Sequence, residues 1–164
     1  MLILKIKQSG MIKYKDYFVV FEEIPDRISL AVNITNCQNN CIGCHSPELR
    51  LSNGEELTEG TIDKLIKENY GIDCFIFMGE GKDRGRLLEL AKYIKHNYNL
   101  KVAIYSGRNN VESDFYEVFD YIKIGEYKEE FGPLNKETTN QRLYEIGADG
   151  IKDITYKFWK NGSR

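Results

Sequence analysis

Four short apolar runs, ISLAVNI (28–34), CFIFM (74–78), KVAIY (101–105) and YIKIG (121–125), alternate along the chain with segments of helical periodicity, and this alternation constrains the fold more than any other feature. Runs so nearly continuous in apolar residues suit strands covered on both faces. Between the first two, TIDKLIKENYG sets Ile62, Leu65 and Ile66 at helical spacing, with Gly71 beyond the last turn suited to a left-handed cap. Between the second and third, RGRLLELAKYIKHNY lays Leu87, Leu88, Ala91 and Ile94 on one stripe. ESDFYEVFD reads as a short helix before the fourth run. Strands alternating with helices imply parallel βα units. A closed eight-unit barrel needs about 250 residues, so a chain of 164 residues is predicted to form an α/β fold: a partial (β/α) barrel or small open sheet of about four to five parallel units. In either arrangement ligands sit at the C-terminal ends of the strands. The loops leaving the first three strands, 35–49, GEGKDRG and SGRNN, are therefore predicted to share one mouth.

Flanking segments read differently. ILKIK and YKDYFVVFEE, separated by QSG, are partly alternating, β-branched and aromatic, and predict an N-terminal β-ribbon over 1–27. RLYEI and IKDITYKFW around GADG predict a closing hairpin. With no repeat, low-complexity segment or linker, one domain spanning 1–164 is the simplest organisation. The formal net charge of -2 shows no basic footprint for nucleic acid or an acidic membrane. The N-terminal apolar stretch is too short for a secretory segment, and no run approaches the roughly 18 residues of a membrane helix. A soluble cytoplasmic protein is the expectation, and there four cysteines favour metal or redox chemistry over disulfides.

Three of those cysteines, Cys37, Cys41 and Cys44, fall within eight residues in TNCQNNCIGCHSPEL (35–49), and that stretch holds no fourth. Unligated loop thiols are one reading, although buried structural cysteines rarely crowd into a polar loop. A zinc site completed by His45 is another, but His45 adjoins Cys44, an awkward geometry for two ligands of one ion. CIGCH matches the C-x-x-C-H haem-attachment pattern, which leaves Cys37 unexplained. The fourth reading uses all three thiols. A cubane [4Fe-4S] cluster has four iron corners, and three cysteines in one short loop hold three of them and leave the last open to an exogenous ligand. Cys74, on an apolar strand with Ile72, Ile76 and Met78 assigned to the same face, reads as core. His96 reads as a solvated helix residue.

C-x3-C-x2-C after a first strand resembles the signature of the radical S-adenosylmethionine (SAM) superfamily, and its surroundings resemble the activating proteins of anaerobic ribonucleoside-triphosphate reductase, which are glycyl-radical-enzyme activases. Gly43 stands before the third cysteine as it often does in those activases. The resemblance implies that Cys37, Cys41 and Cys44 hold a [4Fe-4S] cluster and that Gly43 and His45 lie along the adenine of S-adenosyl-L-methionine. MGEG (78–81) is similar to the family's GGE(D)P motif, with Met78 in place of the first glycine and Gly81 in place of the proline. The resemblance makes Gly79 and Glu80 cofactor-binding, with the backbone receiving the amino group of SAM. AIYSG is similar to the YSG or YTG turn and makes Ser106 a candidate polar contact to ribose or carboxylate. NQRLY (140–144) also resembles a segment of these activases.

What this resemblance implies is reductive cleavage of SAM, giving methionine and a 5′-deoxyadenosyl radical that takes hydrogen from a glycine of the partner reductase. A low-potential donor such as a flavodoxin is implied, because iron-sulfur potentials span roughly -700 to +450 mV and a sulfonium needs the reducing end. Activation of another glycyl-radical enzyme, radical chemistry on a small molecule, and a non-enzymatic zinc or iron-sulfur module are the alternatives. Without the resemblance, a glycine at position 79 lets a ligand approach the backbone closely, and GEG is otherwise a strand-ending turn.

Overall fold

The computed structural model describes residues 10–37, 47–51 and 53–159. Among them the chain runs through β1 (Lys13–Val20), β2 (Ser29–Ile34), a 3-10 turn (Pro47–Arg50), β3 (Glu55–Glu56), α1 (Glu59–Glu68), β4 (Cys74–Met78), α2 (Arg84–Asn97), β5 (Lys101–Tyr105), α3 (Ser113–Val118), β6 (Tyr121–Ile124), β7 (Arg142–Gly147), β8 (Gly150–Asp153) and a second 3-10 turn (Thr155–Phe158). All the strands join one mixed sheet, ordered β3-β1-β2-β4-β5-β6-β7-β8. The four central strands, β2, β4, β5 and β6, are the four apolar runs, and they pair in parallel. Their number is the lower end of the expected four to five. Antiparallel strands flank them on both sides.

The flanks refine two sequence-based expectations. YKDYFVV is β1, and it pairs along β2 as part of the main sheet; the ILKIK half of the expected ribbon lies outside the described residues. The closing hairpin is β7 and β8, with Gly147 opposite Gly150. Among the described residues no helix is long and apolar enough to cross a membrane.

Local chemistry sets the helix starts. Thr58 caps α1 by accepting the Thr61 amide at 3.2 Å, and Asp83 caps α2 by accepting the Arg86 amide at 2.9 Å, each satisfying a donor left over at the first turn. Gly71, two residues past the α1 cap at Asn69, has φ +96°, a conformation that favours glycine. The two helices are tied by the Arg86–Glu59 pair, at 2.6 and 2.8 Å, and by Asp63, which accepts from the hydroxyls of Tyr93 and Tyr98 at 2.8 and 2.5 Å.

Strand alternation sorts the central sheet into two packed groups. Leu30 and Val32, Phe75 and Phe77, Val102 and Ile104, and Ile122 pack with the buried residues of the helices, including Ile62, Leu65, Leu87, Ala91, Ile94 and Phe115. On the opposite side Ala31, Cys74, Ile76, Ala103 and Tyr121 form a second group under Ile24, from the β1–β2 connection, and Ile154, which follows β8. That connection is held down by the Tyr105 hydroxyl donating to the Glu23 carbonyl, by Arg27 Nε donating to the Tyr121 hydroxyl at 3.1 Å, and by a 3.3 Å Lys157–Asp26 pair.

Cys74 is fully buried in the second group, with Ile76 and Met78 on its side of the sheet. Ile72, assigned to that face by simple alternation, packs instead with the helix-side group; it precedes β4, where the strand period has not yet begun. Burial pushes the Cys74 thiol up to about 12, so the reactive thiolate is scarce at neutral pH. In the native protein at pH 8, Cys74 is expected to escape iodoacetamide and to react once urea is added. Peptide mass mapping reads both states, and rapid native alkylation would contradict the core assignment.

Candidate functional site: a cleft at the strand ends

Strand register builds one wall of the site. Asn33 pairs with Met78, Met78 with Tyr105, and Tyr105 with Lys123, so four side chains stand in a row on the face opposite the helices. One step back, Ala31, Ile76, Ala103 and Tyr121 form the apolar floor. Small residues at two of those four positions leave room above them. A cleft of about 940 Å³ opens there, lined by the four-residue row and by Cys37, Gly79 and Ser106, a size at the upper end of the range for small-molecule sites. Phe21, Leu134 and Phe158 also line it. The loops after β2, β4 and β5 thus share one mouth, as the alternation of strands and helices implies.

Cys37 leaves β2 by way of Thr35 and Asn36, and the base of its loop is closed by backbone bonds. The Cys37 amide donates to the Leu49 carbonyl at 2.8 Å, and the Asn36 amide to the Leu51 carbonyl at 3.1 Å. Thr35 Oγ1 adds a 2.7 Å bond to the Asn53 carbonyl. The 35–49 loop therefore leaves and rejoins the fold at one place beside the cleft. Cys41, Gly43, Cys44 and His45 lie outside the described residues. Among the described residues no group of three or more histidine, cysteine or acidic side chains is placed to hold a metal.

Gly79 borders the cleft with φ +118°. A Cβ there would meet only Ile34, at 3.5 Å and beyond, so its glycine character is conformational rather than a matter of space. Gly81 is constrained both ways: φ is +68°, and a Cβ would come within 3.0 Å of the Ile34 side chain and 3.1 Å of Ile12. Proline holds φ near -65°. The departure from the GGE(D)P pattern at this position therefore goes with a backbone path that proline cannot follow.

Glu80 and Ser106, both singled out from sequence as ligand contacts, are engaged with the protein itself. The Glu80 side chain is only 9% exposed. Its Oε2 accepts from Ser106 Oγ at 2.9 Å and from Arg108 Nε at 2.8 Å; its Oε1 accepts from Arg108 Nη2 at 2.5 Å and from Arg84 Nε at 3.3 Å. Arg108 makes a second fork with Glu112, at 2.8 and 2.7 Å. That pairing holds the Glu112 carboxyl down to about 2 and raises the Arg108 guanidinium further above its ordinary value. A depressed carboxyl stabilises the fold fully above the ordinary carboxylate range and loses that contribution as pH falls toward 2, so this fork is intact at any working pH.

Lys123 was not singled out from the sequence. It is 8% exposed, borders the cleft, donates to the carbonyls of Ser106 and Gly125 at 3.3 and 3.1 Å, and stands 5.7 Å from the Tyr105 ring centroid. Gln141, also buried, donates to the same Gly125 carbonyl at 3.2 Å. The signal for Lys123 was present in YIKIG: a charged residue at an inward position of a strand otherwise read as apolar. Gln141 lies within NQRLY, a segment noted from the sequence only by resemblance.

Fold and site together define an α/β protein whose ligand-sized cleft lies at the C-terminal ends of four parallel strands. Comparison with protein-family models, with curated proteins and with solved structures found no match to this chain.

Proposed function

We propose that this chain is a radical SAM enzyme, an activase that generates a glycyl radical on anaerobic ribonucleoside-triphosphate reductase. The observation that carries this reading is the position of Cys37: the first thiol of the C-x3-C-x2-C triad borders the same cleft as Gly79 and Ser106. The parallel core β2-β4-β5-β6, with helices on one side and the cleft on the other, is compatible with a partial (β/α) barrel of radical SAM type.

The chemistry of the donor set fits the cofactor. Three thiolates are soft ligands suited to iron-sulfur binding, and Cys37 sits where the closed base of its loop meets the cleft. Cys37, Cys41 and Cys44 are the residues that would hold a [4Fe-4S] cluster, whose contribution when bound is the electron for reductive cleavage of S-adenosyl-L-methionine. The chain supplies the remainder. Gly79 borders the cleft without a side chain to block it, Lys123 places a cation on its wall, and Ala31, Ile76, Ala103 and Tyr121 give it a floor of low polarity.

The test is anaerobic reconstitution. About four irons per chain, release of methionine from SAM under dithionite, and a glycyl radical seen by electron paramagnetic resonance on an added anaerobic reductase are the expected results. SAM cleavage without a radical on that reductase would move the reading to an activase of another glycyl-radical enzyme. One tightly bound zinc with no cleavage would replace the enzyme with a metal-binding module.

A further inference from the structure

We infer that Arg108 is the positioning residue of the cleft, fastening the loops that leave three neighbouring parallel strands into one frame. Its side chain and backbone reach each of them. The guanidinium forks Glu80 after β4, and its own amide donates to Ser106 Oγ after β5 at 3.1 Å. Its carbonyl accepts from the Gly125 amide after β6 at 2.6 Å. The second fork, to Glu112 at the start of α3, fixes the guanidinium along its adjoining edge, with Nη2 shared between the two carboxylates, and the guanidinium carbon lies 5.8 Å from the centroid of the Phe115 ring.

Glu80 accepts four hydrogen bonds from protein donors, which fills the roughly four lone-pair sites of a carboxylate. Its carboxylate is thereby committed to the frame, and Ser106 Oγ, which donates to Glu80 and accepts from the Arg108 amide, is a second member of it. Besides Cys37 and Lys123, this side of the cleft offers a ligand the half-buried backbone at Gly79 and Gly107, and the frame joins the turns that carry the two glycines. Bidentate guanidinium–carboxylate pairs combine strength with fixed geometry, and lysine does not reproduce that fork. Arg108 therefore acts through the backbone it positions.

This inference rests on the proposed SAM chemistry only for the identity of the ligand, and its test has two arms. In the first, binding of S-adenosylhomocysteine, an unreactive analogue, is measured on the reconstituted protein. Arg108→Lys is expected to raise Kd about tenfold, Arg108→Gln more, and Glu112→Gln about twofold, in line with the loss of one or both charged forks. An irreversibly misfolded fraction lowers the number of sites per chain without moving Kd, and a melt well above the assay temperature excludes the rise in Kd that reversible unfolding would bring, so the shift in Kd separates positioning from mere stability. An unchanged Kd in Arg108→Gln, with the wild type binding normally, overturns the inference.

The second arm needs no cofactor. Amide exchange at Arg108 and Gly125 is expected to quicken about tenfold in Arg108→Lys, while the amides of α1 and α2 keep their wild-type rates. Glu80→Gln serves if the arginine variants do not fold. Unchanged exchange at both amides overturns the frame. If the wild type fails to bind the analogue, the SAM reading fails, and the exchange arm still decides the role of Arg108.

Discussion

Replacing Cys37 with alanine is expected to remove cluster retention and SAM cleavage while leaving the melting temperature of the cluster-free protein nearly unchanged. Cys37 lies past the end of β2, and it is the Cys37 amide that bonds Leu49, so alanine keeps the base of the loop intact. What alanine loses is the thiol. Changing a partner that only supports a metal ligand costs about 10–100-fold in affinity or activity, so deleting the ligand itself should exceed the upper figure. Iron analysis and the yield of methionine from SAM, measured beside a thermal melt, check this. Cleavage at wild-type rate would remove Cys37 from the ligand set, and a large fall in the melting temperature of the cluster-free variant against cluster-free wild type would reassign it to the fold.

The largest effect on stability is expected from Phe77→Ala. Phe77 is fully buried at the middle of the helix-side core, with its ring 5.0 Å from Phe75 and 6.2 Å from Phe119 in an edge-on arrangement. Truncating a buried phenylalanine costs about 3–5 kcal/mol, a large part of the 5–15 kcal/mol that holds a typical domain together. Urea denaturation should show the midpoint falling with the slope unchanged. Residual protein that folds should keep its cleft, because Phe77 points away from it. A loss below about 1 kcal/mol would contradict the packing described for β4.

How much of this was legible in the sequence depends on how far apart the interacting residues lie. The central strands and the stripes of α1 and α2 could be read directly, since each is recorded in a local period. The convergence of three loops on one mouth followed from the parallel order alone. The partners of the Glu80 carboxylate were hidden for a different reason. GEG after a strand marks a tight, ligand-permissive turn, but the arginine that claims its carboxylate is 28 positions away, and no local pattern couples the two. Lys123 became meaningful only when strand register set it beside Tyr105 and Met78. β1 shows the limit of alternation itself: its pattern suits a free ribbon or a flanking strand equally well, and pairing with β2 decides between them.

The row Asn33–Met78–Tyr105–Lys123 also governs how this protein can change. Each of these residues follows, in its own strand, a neighbour committed to the hydrophobic interior (Val32, Phe77, Ile104 or Ile122), so deleting or inserting a single residue within β4 or β5 would exchange Phe77 or Ile104 with a cleft residue and spoil both regions at once. New binding preferences can therefore arise by point replacement at the mouth or by lengthening the loops beyond it, whereas the strands themselves tolerate no change of phase.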